Sequence, residues 1–521
     1  MELKKSLTIP GTLMTALSSM IGSGWLFSSM IGAQLAGPSA IIAWVIGAIM
    51  IIFIALSFAE LSASLPLTGS IARYGQITHG PIVGFIISWL AWLSCVAVAP
   101  TEVQASITYA SYYFHGLSYI HQGNMSLTAL GYTVAVLLML VFSIINFFGV
   151  LLVARINNIL CTWKIIIPTL TGLLIILYHH QTDHLYAYGG FFTNGYDGIF
   201  SCISTIVVFS FLGFREATDF GEEIAKPHIA IPVAVIGSVL FCALFYVFLQ
   251  YAFIVSIPDE WLAHGWNEIK GSEHLAPFIG ISASIGLGLW SQVVLLDSVI
   301  TPSSAVLIYS ATTSRIAYAM SLNKLLPQSL QKLNRFGIPH HAILLNFIVG
   351  CLLFLPLPSW ELLLQFQSTA MIIAYLIGPV ALICFRHADN DFSRPFKLPQ
   401  AHLIAQITFF ICTLIIFWTG WHANILLLIF TMGGLGFYAL LNQYASNKLN
   451  KKDFSQAIWL IGYLLIVNAI CYLNTMNMLN LTSTYCALLV VSVIGFECAI
   501  RMACNKEAIA KDIQALAPTQ K

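Results

Sequence analysis

The sequence predicts an all-α polytopic membrane protein, and its composition and its apolar runs carry this prediction. The chain has 521 residues, of which 58% are hydrophobic and only 8% are charged. A soluble protein carries about 25% charged residues, so this chain has too few charges to cover a soluble surface. The apolar residues form repeated runs of about 20, the length that a helix needs to cross hydrocarbon. These runs are continuous, whereas a transmembrane β-barrel would alternate apolar and polar residues along strands of about 10.

The apolar runs predict about fourteen spans, with twelve as the alternative because the segment 341–356 and the junction 419–421 are weak. The predicted spans are 10–34, 38–65, 82–113, 127–153, 157–178, 197–219, 231–256, 277–310, 341–356, 364–385, 401–419, 421–441, 457–474 and 483–500. The first span follows MELKKSLTIPG without a small-residue cleavage site, so we expect it to be retained rather than removed as a signal peptide.

The basic residues orient these spans. If the N-terminus is cytoplasmic, only Lys270 of the 22 Lys and Arg residues falls in an outer loop, and only Lys164 and Arg215 fall inside spans. This asymmetry is the positive-inside pattern. It predicts that both termini are cytoplasmic, with the chain embedded in a cell membrane that we take to be the bacterial inner membrane. The spans leave no large soluble domain on either side.

Composition and motifs also exclude several classes of function. A net charge of +1 gives no electrostatic basis for binding nucleic acid. The eleven cysteines lie mostly in apolar runs without CxxC spacing, and the fourteen histidines show no metal-ligand spacing, so neither a metal nor a cofactor is expected. The sequence has no GxxxxGK[ST] loop and no Ser/His/Asp constellation, which argues against ATP-driven transport and against an enzyme.

Two of the spans are interrupted by segments that contain glycine. SSMIGSGWLF, residues 18–27, interrupts the first span, and VVFSFLGFREATDFGEE, residues 207–223, interrupts the sixth. Paired interruptions in corresponding positions indicate an inverted repeat of five spans and five. The predicted organisation is a core at 1–441, with repeat one at 10–178, repeat two at 197–385 and extra helices at 401–441, followed by two added helices at 457–500 and a cytoplasmic tail at 501–521.

The interruption in the first span has a functional and a structural explanation. Backbone groups in hydrocarbon must be paired, so a break is tolerated only where it lines a cavity or is buried in protein. The N–H groups freed at Gly22, Ser23 and Gly24 suit a carboxylate, and freed carbonyls suit an ammonium group or a cation. A zwitterionic α-amino acid carries both groups. The structural alternative is a close helix contact made by glycine, or a simple kink.

Three ionisable residues, Lys164, Glu102 and Asp297, are predicted at depth in the membrane, where charge is costly and is usually functional. Lys164 has apolar neighbours on both sides and is a candidate proton carrier; its alternative is a lysine that extends to the cytoplasmic interface. Glu102, after Pro100 in the third span, is a candidate second proton site, a cavity charge or a structural partner of another buried charge. Asp297 in the eighth span faces the same choice.

Further charges lie towards the predicted cytoplasmic ends of their spans. They are Glu60, Arg215, Glu216, Asp219, Glu222 and Glu223. For most of them we favour gating or anchoring salt bridges. Arg215 follows the second interruption, and its planar guanidinium suits the side-chain carboxylate of an acidic substrate. An internal pair between Arg215 and Glu216, Asp219 or Glu102 is the alternative.

Several ordered motifs resemble the amino acid–polyamine–organocation permeases over roughly residues 8–500. MIGSGWLF at 20–27 is similar to the first span of that family, NNILCTWKIIIP to its fifth span, and EEIAKPHIAIPVAV at 222–235 to its loop between spans six and seven. SRIAYAMSLNKLLPQSLQKLNRFGIPHHAI at 314–343 resembles its loop after span eight. The GSGWLF variant and the EVQAS stretch resemble the branch of bacterial aspartate–proton symporters.

The resemblance implies the inverted-repeat fold of the sodium-coupled leucine transporter and roles for particular residues. Substrate binding falls to the first interruption and to the sixth span, with an aromatic lid, at Ile21, Gly22, Ser23, Gly24, Phe209, Ser210, Phe211 and Gly213. Lys164 matches a fifth-span lysine that replaces a sodium ion in proton-coupled members. Its implied neighbours are carbonyls near Ser19 and Gly22 and the hydroxyls of Ser303 and Ser304.

These observations predict a proton-coupled amino acid importer that works by alternating access and favours an acidic amino acid. Its expected partners are the amino acid substrate and the lipid bilayer, and its expected coupling ion is the proton. Many relatives carry an acidic residue after GF in the sixth span, where this chain has Arg215, and this departure supports an acidic substrate. An amino acid/amine exchanger and an amino acid sensor that does not transport are the alternatives. The sequence does not distinguish a monomer from a homodimer, and sodium is the alternative coupling ion.

Overall fold

The computed structural model describes residues 7–111, 114, 116–121, 124–269, 277–357, 359–388, 393–444 and 450–516. Lys4, Lys5 and Lys270, which contribute to the predicted orientation, lie outside these residues. The described chain is built almost entirely from helices. One antiparallel hairpin, formed by β1 (Ser118–His121) and β2 (Asn124–Leu127), connects two of them.

The first half of the chain begins with a helix pair where a single span was predicted. The helices are α1 (Ile9–Met20), α2 (Gly24–Ala36), α3 (Ala40–Ser64), α4 (Ser70–Ala110), α5 (Ala129–Asn146), α6 (Val150–Tyr178), α7 (Gly195–Cys202), α8 (Val208–Phe211) and α9 (Pro227–Ser256). Between α7 and α8 the chain forms a π-helical turn at Ile203–Val207, and a 3-10 segment at Leu212–Asp219 follows α8.

The second half of the chain completes the bundle. Its helices are α10 (Pro277–Ser284), α11 (Gly288–Leu322), α12 (His340–Leu353), α13 (Trp360–Tyr375), α14 (Ile377–Ala388), α15 (Ala401–Trp418), α16 (Trp421–Tyr444), α17 (Lys451–Thr475), α18 (Leu481–Arg501) and α19 (Lys506–Leu516). The C-terminal segment is therefore helical, and α19 packs on α14 and α4 with Ile509 and Ile513 buried.

Twelve helical segments of the described chain are long and apolar enough to cross a membrane. One of them, Gly24–Ser64, contains both α2 and α3 and so covers parts of two predicted spans. The two helices are separated at Gly37, which adopts a φ of 61°. The apolar helix α12 has only 14 residues and is not among the twelve. The predicted fourteen segments therefore all correspond to helices, although only twelve segments meet the length criterion.

Two predicted boundaries were wrong in ways that affect the site. The segment predicted as the eighth span, 277–310, divides between α10 and α11, and the long helix continues to Leu322. The fifth span was predicted to begin at residue 157, but α6 begins at Val150. Lys164 is therefore fourteen residues from the start of the helix and fully buried, which rules out the alternative of a lysine that extends to the interface.

The packing of the bundle brings the two interrupted spans together at its centre. The helix α1 packs against α6, α9 and the 3-10 segment that follows α8, while α4 packs against α11 and α13. The pair α17 and α18 packs on the outside, against α4 and α15. Whether the two groups of five spans are related by an inverted repeat stays a prediction.

Candidate functional site: an interrupted helix beside a buried cavity

The first span is interrupted over three residues. The helix α1 ends at Met20, where Ile21 leaves helical geometry with φ −91° and ψ 91°, and α2 begins at Gly24 with Ser23 as its N-cap. Two half-helices thus end near each other inside the protein, with the carbonyls of α1 and the N–H groups of α2 left without partners in their own helices. The predicted interruption at Gly22–Ser23–Gly24 is present in the structure.

The carbonyl end of α1 contacts a buried ammonium group. Lys164 on α6 is fully buried, and its Nζ donates hydrogen bonds to the carbonyl of Ser18, at 2.7 Å, and to that of Ile21. The hydroxyl of Tyr246 donates to the carbonyl of Met20 at 2.8 Å. Because the C-terminus of a helix carries partial negative charge, the ammonium stabilises this end of α1. Carbonyls near Ser19 and Gly22 were expected to bind Lys164, and the carbonyls that do so belong to the preceding residue in each case, Ser18 and Ile21.

The N–H end of α2 contacts a buried carboxylate. Glu102 on α4 is 3% exposed, and its Oε2 accepts a hydrogen bond from the backbone N–H of Ser23 at 2.7 Å. A Cβ atom at Gly22 would lie 2.9 Å from the Glu102 Cδ, so glycine is needed for this close approach. The positive end of the α2 dipole stabilises the carboxylate. The N–H of Ser23 is therefore not free in this structure, because Glu102 holds the position expected for a substrate carboxylate.

The sixth span packs against both sides of the first interruption. A Cβ atom at Gly213 would overlap the carbonyl of Ser19 and lie 2.6 Å from the Met20 nitrogen. At Gly24, a Cβ atom would lie 3.2 Å from the Phe209 ring and 3.3 Å from the Ser210 hydroxyl oxygen. The first and sixth spans therefore pack closely where their glycines lie. The close helix contact made by glycine, which was the structural alternative for the first interruption, is thus present as well.

Phe209, Ser210 and Phe211 occupy different environments. The Phe209 ring lines the cavity described below, whereas the Ser210 hydroxyl donates to the carbonyl of Ile206 at 2.9 Å. Phe211 is fully buried and packs edge-on against Trp44 and Tyr246, with ring centroids 6.0 and 5.8 Å apart. Only Phe209 of these three side chains borders the cavity.

A small cavity of about 20 Å³, with room for about one water molecule, lies beside the interruption between several helices. Its lining residues come from α1, α4, the sixth span, α11 and α13, and they are Ser19, Met20, Gly22, Ser94, Val98, Glu102, Phe209, Leu212, Tyr309, Gln367 and Met371. Aromatic rings cover one end, because Trp360 contacts Phe209 and Phe27 at centroid distances of 6.0 and 4.9 Å. The indole N–H of Trp360 also donates to the Ser23 hydroxyl at 3.3 Å.

The two predicted hydroxyls of the eighth span, those of Ser303 and Ser304, have different hydrogen-bond partners. The Ser18 hydroxyl donates to that of Ser304 at 3.4 Å, so Ser304 lies next to the residue whose carbonyl binds Lys164. The Ser303 hydroxyl donates to the carbonyl of Val299 within its own helix. Asp297 is fully buried and accepts hydrogen bonds from the Trp25 indole at 3.0 Å and from the Thr301 hydroxyl at 2.7 Å.

Arg215 forms a buried ion-pair network beyond the cavity. Its Nη1 lies 2.5 Å from an Asp219 carboxylate oxygen, its Nη2 lies 2.8 Å from Glu216, and all three side chains have no exposed surface. The Ser70 hydroxyl donates to Asp219 at 3.1 Å. Because both terminal nitrogens of Arg215 already bind carboxylates, this geometry favours the internal pair over binding of a substrate carboxylate.

Two bidentate ion pairs lie at the end of the bundle opposite the aromatic cover. Arg315 on α11 binds Glu223 with N–O distances of 2.5 and 3.0 Å, and its guanidinium stacks 4.3 Å from the Phe220 ring centroid. Arg386 binds Glu60 at 2.8 and 2.7 Å. These pairs join elements from different parts of the chain, as expected for gating or anchoring salt bridges.

Sequence reasoning missed Tyr246, Trp360 and Gln367, which approach the interruption or the cavity from α9 and α13. A glutamine within an apolar span is a signal, because polar groups at depth are costly and usually functional. The sequence does not distinguish the two glutamines of LLLQFQSTA, Gln365 and Gln367. Only the structure shows that Gln365 is exposed and Gln367 is buried. Among the described residues, no group of three or more His, Cys, Asp or Glu could hold a metal ion.

The fold and the site define an integral multi-pass membrane protein in which two interrupted helices meet beside a small cavity. Residues 7–426 match the amino acid permease family, and the chain belongs to this family. It is 34% identical to the glutamate/serine transporter AimA of Bacillus subtilis over 89% of this chain and 86% of that protein. It is 32% identical to the aspartate-proton symporter of Bacillus subtilis over 91% of each chain. A branched-chain amino acid permease of the same organism is 27% identical over 86% of this chain and 95% of its own length.

These relatives are transporters rather than enzymes, and their similarity covers nearly the whole chain. The chain is therefore an amino acid transporter, and the predicted relation to the amino acid–polyamine–organocation superfamily is confirmed.

Proposed function

We propose that this permease is a proton-coupled importer that favours an acidic amino acid and works by alternating access. One observation carries the proposal: the protein's own ammonium and carboxylate groups bind the two ends of the interrupted first span. Lys164 binds carbonyls of Ser18 and Ile21, and Glu102 binds the N–H of Ser23. Both side chains are buried, so a change in the charge of either one alters a site of low dielectric constant strongly.

The substrate carboxylate would replace Glu102 at the N–H of Ser23. Two carboxylates cannot share this position while both are ionised, because like charges repel strongly in a buried site. Protonation of Glu102 removes its negative charge and frees the N–H group for the substrate. The cavity, which Glu102 and Gly22 both line, holds about one water molecule, so it must widen in the state that binds substrate to hold the rest of the amino acid. Proton uptake and substrate binding are thereby linked at one backbone group.

A proton rather than sodium is the proposed coupling ion. The carbonyls of Ser18 and Ile21 already bind the ammonium of Lys164, which carries the positive charge that a sodium ion would supply. Loss of a proton from Lys164 would remove that charge from the end of α1. Such a change would alter the packing of the first interruption against Gly213 and so provides a route from proton movement to a conformational change.

An acidic substrate is supported by the relatives. Two of them are named for glutamate and serine and for aspartate and protons, at 34% and 32% identity. We assign the protein to the bacterial cell membrane with both termini in the cytoplasm, because the relatives are bacterial and the basic residues are asymmetric. Arg215 has no part in substrate binding in this proposal, since Glu216 and Asp219 bind both of its terminal nitrogens.

Uptake into empty proteoliposomes tests the proposal. The purified protein is reconstituted without internal amino acid, an inward proton gradient is imposed, and accumulation of radiolabelled aspartate, glutamate and serine is followed with and without a protonophore. The proposal predicts accumulation that the protonophore abolishes. Uptake that requires internal amino acid would instead identify an exchanger. Saturable binding without flux would identify a sensor.

A further inference from the structure

The side chain of Gln367 is a polar group in the cavity wall that the proposed coupling mechanism does not use. Gln367 lies on α13 and has no exposed surface, and it lines the same cavity as Glu102 and Gly22. Neither its Nε2 nor its Oε1 has a hydrogen-bond partner among the described residues. Buried amide groups without partners are rare in proteins because they lose their hydrogen bonds to water. An unpaired amide in the wall of a cavity that must widen for the substrate would gain its hydrogen-bond partners from that substrate.

The surroundings of Gln367 hold its backbone in place. The Ser94 hydroxyl on α4 donates to the Gln367 carbonyl at 2.7 Å, and Ser94 also lines the cavity. Met371 lines the cavity one helical turn later, which shows that this face of α13 borders the cavity. The amide thus extends from a fixed helix position on one wall, while Gly22 and Glu102 form part of another.

The chemistry of the amide selects a class of substrate. A carboxamide offers two N–H donors and one carbonyl acceptor without a net charge. A substrate carboxylate accepts from Nε2, and a substrate hydroxyl pairs with either amide atom. An aliphatic side chain leaves both atoms buried and unpaired, which disfavours binding of apolar amino acids.

We infer that Gln367 is a specificity-determining residue that hydrogen-bonds the side chain of the substrate. The substrate class is an amino acid with a short polar side chain that ends in a carboxylate or a hydroxyl. This inference rests on the proposed function insofar as the cavity holds the transported amino acid. It adds the group that distinguishes one amino acid from another, because the interrupted span contacts only groups that all amino acids share.

The experiment compares Gln367→Leu with wild type for binding and for uptake. Binding is measured in detergent as the rise in thermal stability on titration with aspartate, glutamate, serine, alanine or valine, and uptake is measured in proteoliposomes. Loss of a hydrogen bond to the substrate is expected to weaken binding of the three polar amino acids about tenfold or more. Alanine and valine are expected to bind as well as they do to wild type, or better.

Gln365→Leu is the matched control, because Gln365 lies two residues earlier on the same helix and is exposed. It should leave all five affinities unchanged. Gln367→Glu adds a second test, since it removes the N–H donors and adds a negative charge at high pH. It should weaken aspartate and glutamate more than serine.

Equal losses for polar and apolar amino acids in Gln367→Leu, or no loss at all, would overturn the inference. Equal losses for acidic amino acids and serine in Gln367→Glu would also contradict it. The binding assay needs no gradient, so its result is independent of proton coupling. Failure of proton-driven uptake by wild type, with the expected binding selectivity, would therefore reject the proposed function and leave the inference intact.

Discussion

At the scale of single residues, the charges on α4 and α6 complete an interrupted helix that lacks its own hydrogen bonds. Lys164 binds the carbonyl end of α1, and Glu102 binds the N–H end of α2. Each charge has the sign that the adjoining helix dipole favours. Both groups are titratable, so a change in the protonation of either one would alter the contacts that stabilise the interruption.

Glu102→Gln tests whether the carboxylate competes with the substrate. The amide cannot ionise, so the affinity of the variant for substrate should no longer fall as pH rises. Wild type should bind more weakly at higher pH, because ionised Glu102 occupies the N–H of Ser23. Equilibrium binding of radiolabelled glutamate at several pH values measures both profiles. A wild-type pH dependence that persists unchanged in Glu102→Gln would contradict the competition.

Arg215→Gln tests the role of the buried network. The change leaves Glu216 and Asp219 buried without their cation, and removal of one partner from a buried pair costs about 3–5 kcal/mol. We expect a large fall in thermal stability and no selective loss of acidic substrates. Arg335→Gln, at an exposed position, serves as the control and should leave stability unchanged. A stable variant that loses aspartate binding but retains serine binding would show that Arg215 binds substrate.

At the scale of elements, the contact between the two interruptions depends on glycine. Gly213 lies directly against the backbone of Ser19 and Met20, so a larger residue must push the sixth span away from the first. The aromatic cover and the bidentate ion pairs lie on opposite sides of this contact.

Gly213→Ala tests this contact. The added methyl group would overlap the Ser19 carbonyl, and overpacking of this kind typically costs about 1–3 kcal/mol. We expect lower thermal stability and a loss of uptake. Gly433→Ala is the matched control, because nothing lies within 4 Å of a Cβ atom there. Equal stability and equal uptake in the two variants would exclude a tight contact at Gly213.

The same elements show what sequence patterns predict and what they miss. The apolar runs and the glycines at 22, 24 and 213 predicted the spans and both interruptions, because these features are local. The start of α6 at Val150 was missed, because its first residues, VLLVARINNIL, mix polar and apolar side chains. The binding of Ser23 by Glu102 depends on packing between residues far apart in sequence, and no local pattern specifies such a contact.

At the scale of the whole molecule, aromatic contacts and ion pairs join different helices towards opposite ends of the bundle. Trp360 contacts Phe209 and Phe27 at the first end, and Arg315 binds Glu223 towards the second. A transporter that exposes its site to each side in turn needs a separate closure at each end. The ion pair and the aromatic contacts are suited to these two roles because both join different helices.

A pH-sensitive dye trapped inside proteoliposomes reports directly whether protons enter together with the substrate. On addition of external aspartate or glutamate, wild type should acidify the lumen, and the control Lys226→Ala should do the same because Lys226 is exposed. Lys164→Ala should cause no acidification. Entry of radiolabelled amino acid into wild-type vesicles without acidification, or undiminished acidification with Lys164→Ala, would contradict proton-coupled import.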